Sequence, residues 1–135
     1  MGYGNKSIDD LANECYSNAK SKGFYATRDM IVTLIDTSPL SDEQRSRLTA
    51  EFNSIWKLSR LALMMSELGE ACEAARKPEL MCEKIPSLTL MEEELADTVI
   101  RILDFAGSDG VDLENAIREK MAFNAGRPYM HNKLS

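Results

Sequence analysis

Cysteine and histidine are scarce in the sequence. There are three cysteines and one histidine among 135 residues, and no two cysteines form a C-x-x-C pair. An odd number of scattered cysteines argues against both a disulfide framework and a zinc site. We therefore expect a reduced, cytoplasmic setting.

Long apolar runs and clusters of basic residues are also missing. No run of apolar residues is long enough to cross a bilayer, and the polar N-terminus resembles no signal peptide, so we expect no membrane partner. The net charge is −6, whereas a protein that binds a nucleic-acid polymer needs a basic surface. An acidic protein can still bind a small polyanion if a metal ion bridges the two.

Helical signals recur along the whole chain. Residues that favour the N-cap precede each segment with helical apolar spacing, and Gln44 and Glu92 complete capping boxes with two of them. These N-cap residues are Ser7, Ser41, Thr89 and Asp112. The sequence contains no strand pair joined by a hairpin turn and no internal repeat. It therefore predicts an all-α fold in a single domain spanning residues 1–135.

Some helix boundaries are less sharply marked. Residues 28–37 are rich in β-branched side chains and predict either a short helix or an irregular segment. The helical periodicity over residues 41–77 is long for one helix, which leaves room for a break near 50–56. Gly107 and Gly110 both mark the end of the following helix.

Two glutamates lie where the helix over residues 61–77 should be apolar. At a rotation of about 100° per residue, Glu67 falls inside a broad apolar arc and Glu70 lies at its edge. The arc consists of Leu61, Met64, Met65, Leu68, Ala71, Cys72 and Ala75. Because a carboxylate beside apolar packing costs free energy unless it is compensated, these positions predict a bound partner.

A later helix repeats the same spacing. Glu94 and Asp97 are also one helical turn apart, on the polar side beside Arg101. Taken alone, this pair is more typical of a solvated helix face. If the two helices pack antiparallel, however, four carboxylates meet, and their mutual repulsion is best explained by a hard divalent cation. All-oxygen ligands suit Mg²⁺, with Mn²⁺ as a substitute.

A di-iron centre is the main competing interpretation of carboxylates on facing helices. Such centres use E-x-x-H motifs on two of the helices. The single histidine, His131, lies in the C-terminal tail, away from both acidic pairs. The di-iron interpretation is therefore disfavoured.

The last predicted helix carries positive charge on one face. Lys120, Asn124 and Arg127 are spaced i, i+4 and i+7 along the helix and its exit. A lysine charge, an amide and a guanidinium fork together suit phosphate oxygens. The alternative is that the basic residues interact with the C-terminal end of the helix dipole, which is common.

Several sequence blocks occur in a defined order along the chain. Residues 67–70 read E-x-x-E and residues 94–97 read E-x-x-D, with 23 residues between them. The surrounding blocks are SELGEACEAARK, EELADTVIRILDFAG and KMAFNAGRPYMHNK, and NAKSKGFY precedes them. Together they resemble the all-α, MazG-like nucleoside triphosphate pyrophosphohydrolases, in a subgroup from phages and bacteria. Asn132 departs from this pattern, which has glycine at that position.

The resemblance implies an activity and a set of site residues. It implies an enzyme that hydrolyses ribo- or deoxyribonucleoside triphosphates between the α and β phosphates, to a monophosphate and pyrophosphate. The magnesium ligands that it implies are Glu67, Glu70, Glu94 and Asp97. Glu70 is expected to take the proton from the attacking water. The residues expected to contact substrate are Lys120, Asn124, Arg127, Arg101, His131 and Phe24, and Tyr25 and Trp56 are further aromatic candidates for the base.

The resemblance also implies how the chain folds and assembles. It predicts a MazG-like helical bundle whose four-helix core is completed by dimerisation, in a homodimer or homotetramer. Residues 28–56 exceed the usual spacing and are interpreted as an insertion or a variant region near the nucleotide. Residues 127–135 are interpreted as a tail that folds over the site. A phage-encoded chain of this kind would work in the host cytoplasm.

Two other functions are compatible with these residues. The first is a non-catalytic helical dimer that binds nucleotides or partners, against which the complete set of four acids argues. The second is a phosphoribosyl-ATP pyrophosphohydrolase, which performs the same chemistry. The R-P-Y-x-H ending favours free nucleotides over that substrate.

Overall fold

A computed structural model describes residues 5–127 of the chain. The helices are α1 (Ile8–Ser21), α2 (Ala26–Asp36), α3 (Asp42–Ala74), α4 (Leu90–Asp109) and α5 (Leu113–Ala125). Within this part of the chain the only β pairing is an isolated bridge between Met81 and Thr89. The prediction of an all-α fold is therefore confirmed. None of the helices between residues 5 and 127 is long and apolar enough to cross a membrane.

Except for α2, the helices begin at the N-cap residues that the sequence predicts. Capping boxes open α1, α3 and α4, and their side-chain pairs are Ser7–Asp10, Ser41–Gln44 and Thr89–Glu92. The Asp112 side chain accepts a hydrogen bond from the backbone N–H of Asn115 at the start of α5. Each cap satisfies backbone donors that the first helical turn leaves free.

The uncertain boundaries resolve into regular helices. The segment around 28–37 is helical as α2, and the expected break near 50–56 is wrong because α3 runs unbroken over 33 residues. Residues 50–56 contain neither proline nor glycine, so nothing there interrupts the hydrogen-bond ladder. Gly107 does not end α4, which continues to Asp109, and Gly110 caps it with φ 66°.

Gly107 instead allows two helices to approach closely. A Cβ atom at this position would lie 2.4 Å from the backbone oxygen of Ala12 in α1. The core forms at this contact, where Ala12 packs with Leu103 and Ala106 of α4. Small side chains on both helices therefore bring α1 against α4.

The other face of α4 packs against α3. The two helices run antiparallel, because Arg60 of α3 pairs with Asp104 of α4 while Glu67 pairs with Arg101. Helix α2 contacts α3, and α5 contacts α1. The arrangement places α4 in the middle, and the α3–α4 pair carries the acidic residues singled out in the sequence.

Candidate metal centre and adjoining cavity

Three of the predicted metal ligands meet between α3 and α4. Glu67, Glu70 and Glu94 each offer a carboxylate oxygen, and these oxygens all lie within 4.8 Å of one another. The glutamates of α3 are one turn apart and so face α4 together, and the antiparallel packing brings Glu94 opposite them. We refer to these three residues as the glutamate cluster.

The fourth predicted ligand, Asp97, lies one turn further along α4. Its side chain is exposed, lines the neighbouring cavity and is close enough to influence the charge on Glu94. The structure thus gathers three of the four acids tightly and leaves Asp97 at the edge of the group.

The environment of Glu94 favours its protonated form. Partial burial raises the pKa of the Glu94 carboxyl, and the negative charges of Glu70 and Glu67 raise it further, followed by those of Glu93 and Asp97. Each neighbour disfavours the ionised form by Coulomb repulsion. A divalent cation bound among these oxygens would remove that penalty, because it reverses the sign of the local charge.

The donor set of the cluster fits a hard cation. It consists of carboxylate oxygens alone, without nitrogen or sulfur, and such ligands suit Mg²⁺ or Mn²⁺. In an octahedral Mg²⁺ site, ligand oxygens are separated by about 3 Å when adjacent and about 4 Å when opposite. The oxygens, which are up to 4.8 Å apart, would therefore have to move closer together to share one ion.

Arg101 contacts the cluster directly. Its Nε and one terminal nitrogen lie 2.6 Å and 2.5 Å from the same oxygen, Oε1 of Glu67. The Glu67 side chain is 12% exposed and that of Arg101 is 41% exposed. The sequence spacing indicates that Arg101 lies beside Glu94 and Asp97 but does not indicate its pairing with Glu67. Its position four residues after Asp97, on the same helix face, was the available signal.

A cavity of about 340 Å³ is linked to the cluster through Arg101, which lines the cavity and pairs with Glu67. None of the three glutamates lines it, and its wall includes three aromatic side chains as well as Asp97. The aromatic residues are Phe24, Tyr25 and Trp56. Phe24 is 71% exposed, so its ring is available for contact. The volume lies in the range of small-molecule sites.

A buried polar network closes one end of this cavity. Arg60, which is 8% exposed, donates to Asp104 Oδ2 at 3.0 Å and to Ser108 Oγ at 2.6 Å. The Tyr25 hydroxyl donates to Asp104 Oδ1 at 2.7 Å. The Arg60 guanidinium also lies over the rings of Tyr25 and Phe105, at 5.3 Å and 4.8 Å. Burial is the main cause that raises the pKa of Tyr25 to about 12, so its hydroxyl keeps its proton.

Sequence reasoning missed this network, although a spacing signal was present. Arg60 precedes Glu67 by two helical turns on α3, and Asp104 follows Asp97 by two turns on α4. Residues seven apart share a helix face. The charged face of each helix therefore extends further than the acidic motifs alone suggested.

A second cavity, of about 310 Å³, borders the cluster. Glu70 and Glu94 contribute to its lining together with Glu73 and Lys77. The Lys77 ammonium therefore stands in the neighbourhood of the glutamates without an ion pair within 4 Å among residues 5–127.

The predicted phosphate-binding trio lies elsewhere in the single chain. Lys120 and Asn124 are exposed on α5, Arg127 is exposed just after its C-cap, and none of the three lines either cavity. The Lys120 ammonium and the Arg127 guanidinium lie over the Phe123 ring, at 4.9 Å and 5.9 Å. His131, the remaining predicted contact, lies outside the described residues.

Comparisons with protein-family models, curated proteins and solved structures returned no match. The likeness to MazG-like enzymes therefore depends on the sequence blocks quoted above and stays a prediction.

Proposed function

We propose that the protein is a metal-dependent hydrolase that cleaves nucleoside triphosphates between the α and β phosphates, releasing a monophosphate and pyrophosphate. The observation that carries the proposal is the glutamate cluster, with its oxygens within 4.8 Å, beside a cavity with aromatic walls. A cation site close to a cavity with aromatic residues suits a ligand that has anionic groups at one end and a planar ring at the other. The E-x-x-E and E-x-x-D blocks support the same function, through their resemblance to MazG-like enzymes.

The glutamate cluster would hold the cation. Glu67 and Glu94 are partly buried and fixed by helix packing, so their carboxylates are positioned as ligands, with Asp97 as an additional one. Bound Mg²⁺ would neutralise phosphate charge and lower the pKa of water. Phosphoryl chemistry of this kind needs positioning and charge neutralisation more than a covalent nucleophile.

Glu70 is the residue that we assign to proton transfer. Its side chain is exposed, and no ion pair engages it among residues 5–127. A carboxylate free of a basic partner can accept a proton from the attacking water, provided that it lies within hydrogen-bond reach. The helix geometry places Glu70 one turn from Glu67 and thus at the edge of the cluster.

The cavity would hold the nucleoside. Phe24 and Trp56 offer apolar surfaces against which a base can pack. Arg101, at the side nearest the cluster, would contact the phosphates through its guanidinium fork. The preference for one base is not specified by these apolar contacts.

We further propose that the chain works as a homodimer or homotetramer. A stripe of large apolar side chains is exposed along α3 and α4, and Met65, at its centre, is 74% exposed. The other members are Leu61, Leu68, Leu95, Val99 and Ile102. A second copy packed on this stripe would complete a four-helix core. In such an assembly, Lys120, Asn124 and Arg127 of one copy would be able to reach the site of another copy, which they do not border within one chain.

A product assay tests the function. The protein is incubated with Mg²⁺ and a panel of ribo- and deoxyribonucleoside triphosphates, and products are separated by anion exchange. Monophosphate and pyrophosphate in equal amounts are expected, and Glu70→Gln serves as the inactive control. Release of diphosphate and inorganic phosphate, or no turnover of any substrate, would contradict the proposal.

One observation favours the non-catalytic alternative. The ion pair between Arg101 and Glu67 already compensates one of the buried charges, as it would in a purely structural cluster. In that case the protein would bind nucleotides without turnover. The effect of Glu67→Gln on activity and on stabilisation by Mg²⁺ separates the two functions.

A further inference from the structure

We infer that Arg101 has two binding positions, one for each state of the glutamate cluster. In the cation-free protein it neutralises Glu67, and when a cation binds Glu67 it turns towards the anionic substrate in the cavity. This inference depends on the proposed function and specifies how the same site is regulated by its cation.

The first position is the one present in the structure. Two nitrogens of Arg101 converge on Oε1 of Glu67, at 2.6 Å and 2.5 Å. Among residues 5–127, no other basic side chain forms an ion pair with Glu67, Glu70 or Glu94. Arg101 is therefore the single positive group that contacts the cluster in this part of the chain.

A cation bound to Glu67 would compete with Arg101 for the charge of the same carboxylate. Two nitrogens of Arg101 already lie 2.6 Å and 2.5 Å from Oε1, and a divalent ion on either oxygen of this carboxylate would stand within a few ångströms of the guanidinium. The two positive charges repel each other, and both draw on the same negative charge. Cation binding therefore weakens the ion pair between Glu67 and Arg101.

The second position is within reach of the same side chain. Arg101 lines the cavity that also contains Phe24 and Trp56. Its side chain is 41% exposed whereas that of Glu67 is 12% exposed, so the arginine is the partner with room to move. Its planar fork matches phosphate oxygens, which are the groups that a cation at the cluster would attract.

Binding of Mn²⁺ alone tests the first half of the inference. Isothermal titration calorimetry without nucleotide is carried out on the parent and on Arg101→Gln. Because the variant has lost the competitor for Glu67, its affinity for Mn²⁺ should rise by about fivefold. A residue that merely supports the position of Glu67 would give the opposite result, a weaker affinity.

Inorganic tripolyphosphate in the presence of saturating Mn²⁺ tests the second half. Arg101→Gln should bind it about tenfold more weakly than the parent, since one charge-assisted contact is lost. Arg101→Lys keeps the charge without the fork. It should show the parental affinity for Mn²⁺ but still bind tripolyphosphate more weakly than the parent.

Lys77→Gln is the matched control. Lys77 lines the cavity that Glu70 and Glu94 border, so the substitution removes one positive charge from the same neighbourhood without touching Glu67. Its affinity for Mn²⁺ should change by less than about twofold. An equal gain in Lys77→Gln and Arg101→Gln would assign the effect to general electrostatics and overturn the inference.

The remaining outcomes separate this inference from the proposed function. If the parent does not bind Mn²⁺, the proposed metal site itself is wrong. If the parent binds Mn²⁺ and Arg101→Gln binds it equally or more weakly, only the two-position role is wrong. A failure of Arg101→Gln to fold, measured by circular dichroism in chelator, would assign Arg101 a structural role and also overturn the inference.

Discussion

Arg60 and Asp104 form an ion pair that fixes α3 against α4. The distance between the Arg60 guanidinium and Oδ2 of Asp104 is 3.0 Å, and the two side chains are 9% and 19% exposed. The Tyr25 hydroxyl donates a further hydrogen bond to Asp104, and Ser108 accepts one from Arg60. Since both side chains are largely shielded from solvent, each charge is compensated mainly by the other.

Loss of one partner of this pair should destabilise the protein. Arg60→Met leaves the Asp104 carboxylate without its main compensation, and the free energy of unfolding should fall by about 3 kcal/mol. Urea unfolding followed by circular dichroism measures the change. Arg47→Met is the control, because Arg47 pairs with Glu51 on an exposed helix face and its side chain is 81% exposed. Equal stability of Arg60→Met and the parent would contradict the assigned role.

Gly107→Ala should weaken the contact between α1 and α4. The new methyl group would lie 2.4 Å from the backbone oxygen of Ala12, and the resulting overpacking should cost about 1–3 kcal/mol. Gly69→Ala is the matched control in α3, where a Cβ meets no atom within 4 Å. There the higher helix propensity of alanine should add about 0.5–1 kcal/mol. Melting temperatures that shift in the same direction for both variants would contradict this account.

Glu67→Gln distinguishes a metal ligand from a structural glutamate. The substitution removes one of three clustered negative charges but also one partner of Arg101, which is 41% exposed. In chelator the two effects oppose each other, so the melting temperature should change little. The parent should gain about 2.7 kcal/mol in Mg²⁺ at a hundred times its dissociation constant. The variant should lose this gain together with its activity. A strongly destabilised yet active variant would mean that Glu67 holds the fold together.

The pH dependence of stability should follow the glutamate cluster. The pKa of Glu94 is raised from its ordinary value of 4.5, so the folded state binds this proton more tightly than the unfolded state. The ionised Glu94 carboxylate therefore lowers the free energy of unfolding, and this loss grows as pH rises above the pKa that Glu94 has in the unfolded state. In chelator, Glu94→Gln should gain stability relative to the parent at pH 7 and show little difference at low pH.

Glu92→Gln gives the opposite sign and serves as the control for pH. Hydrogen bonds from Thr89 lower the pKa of Glu92, so its ionised form stabilises the start of α4. This contribution is present above the unfolded pKa and is lost as pH falls through the folded pKa. Glu92→Gln should therefore lose stability at pH 7 relative to the parent. Urea unfolding of both variants across this range checks the two signs.

Met65→Glu should separate the proposed oligomer into monomers. Met65 is 74% exposed at the centre of the apolar stripe, and a carboxylate there would be buried without compensation by a second copy. Light scattering coupled to size exclusion measures the mass. Met121→Glu is the control, since Met121 is 66% exposed on α5, outside the stripe. A monomeric parent would contradict the proposed assembly.

Local signals predicted the helices well because caps act within one turn. Both capping boxes form, and each consists of two residues only three positions apart in the sequence: Ser41 with Gln44, and Thr89 with Glu92. Gly107 was misread as a helix end because its reason is a contact with Ala12 on another helix. The neighbouring sequence does not indicate that a residue is needed for a contact with another helix.

For the site, too, the helix faces were predictable from the sequence but the ion-pair partners were not. The i, i+3 spacing placed Glu67 and Glu70 on one face, and antiparallel packing brought Glu94 to them. The partners Arg101 for Glu67 and Asp104 for Arg60 depend on the axial register of α3 against α4. Helix periodicity determines faces but not this register, which only tertiary packing sets.

The ion pair of Arg60 with Asp104 also limits how the length of the chain can change. It lies about two helical turns from Glu67 along α3 and nearly three turns from Glu94 along α4, and α4 connects the two sites without interruption. One residue inserted between Asp97 and Asp104 would leave α4 helical but rotate one end against the other by about 100° and lengthen it by about 1.5 Å. Either Asp104 or Glu94 would then face away from α3. This segment should therefore accept no insertion or deletion.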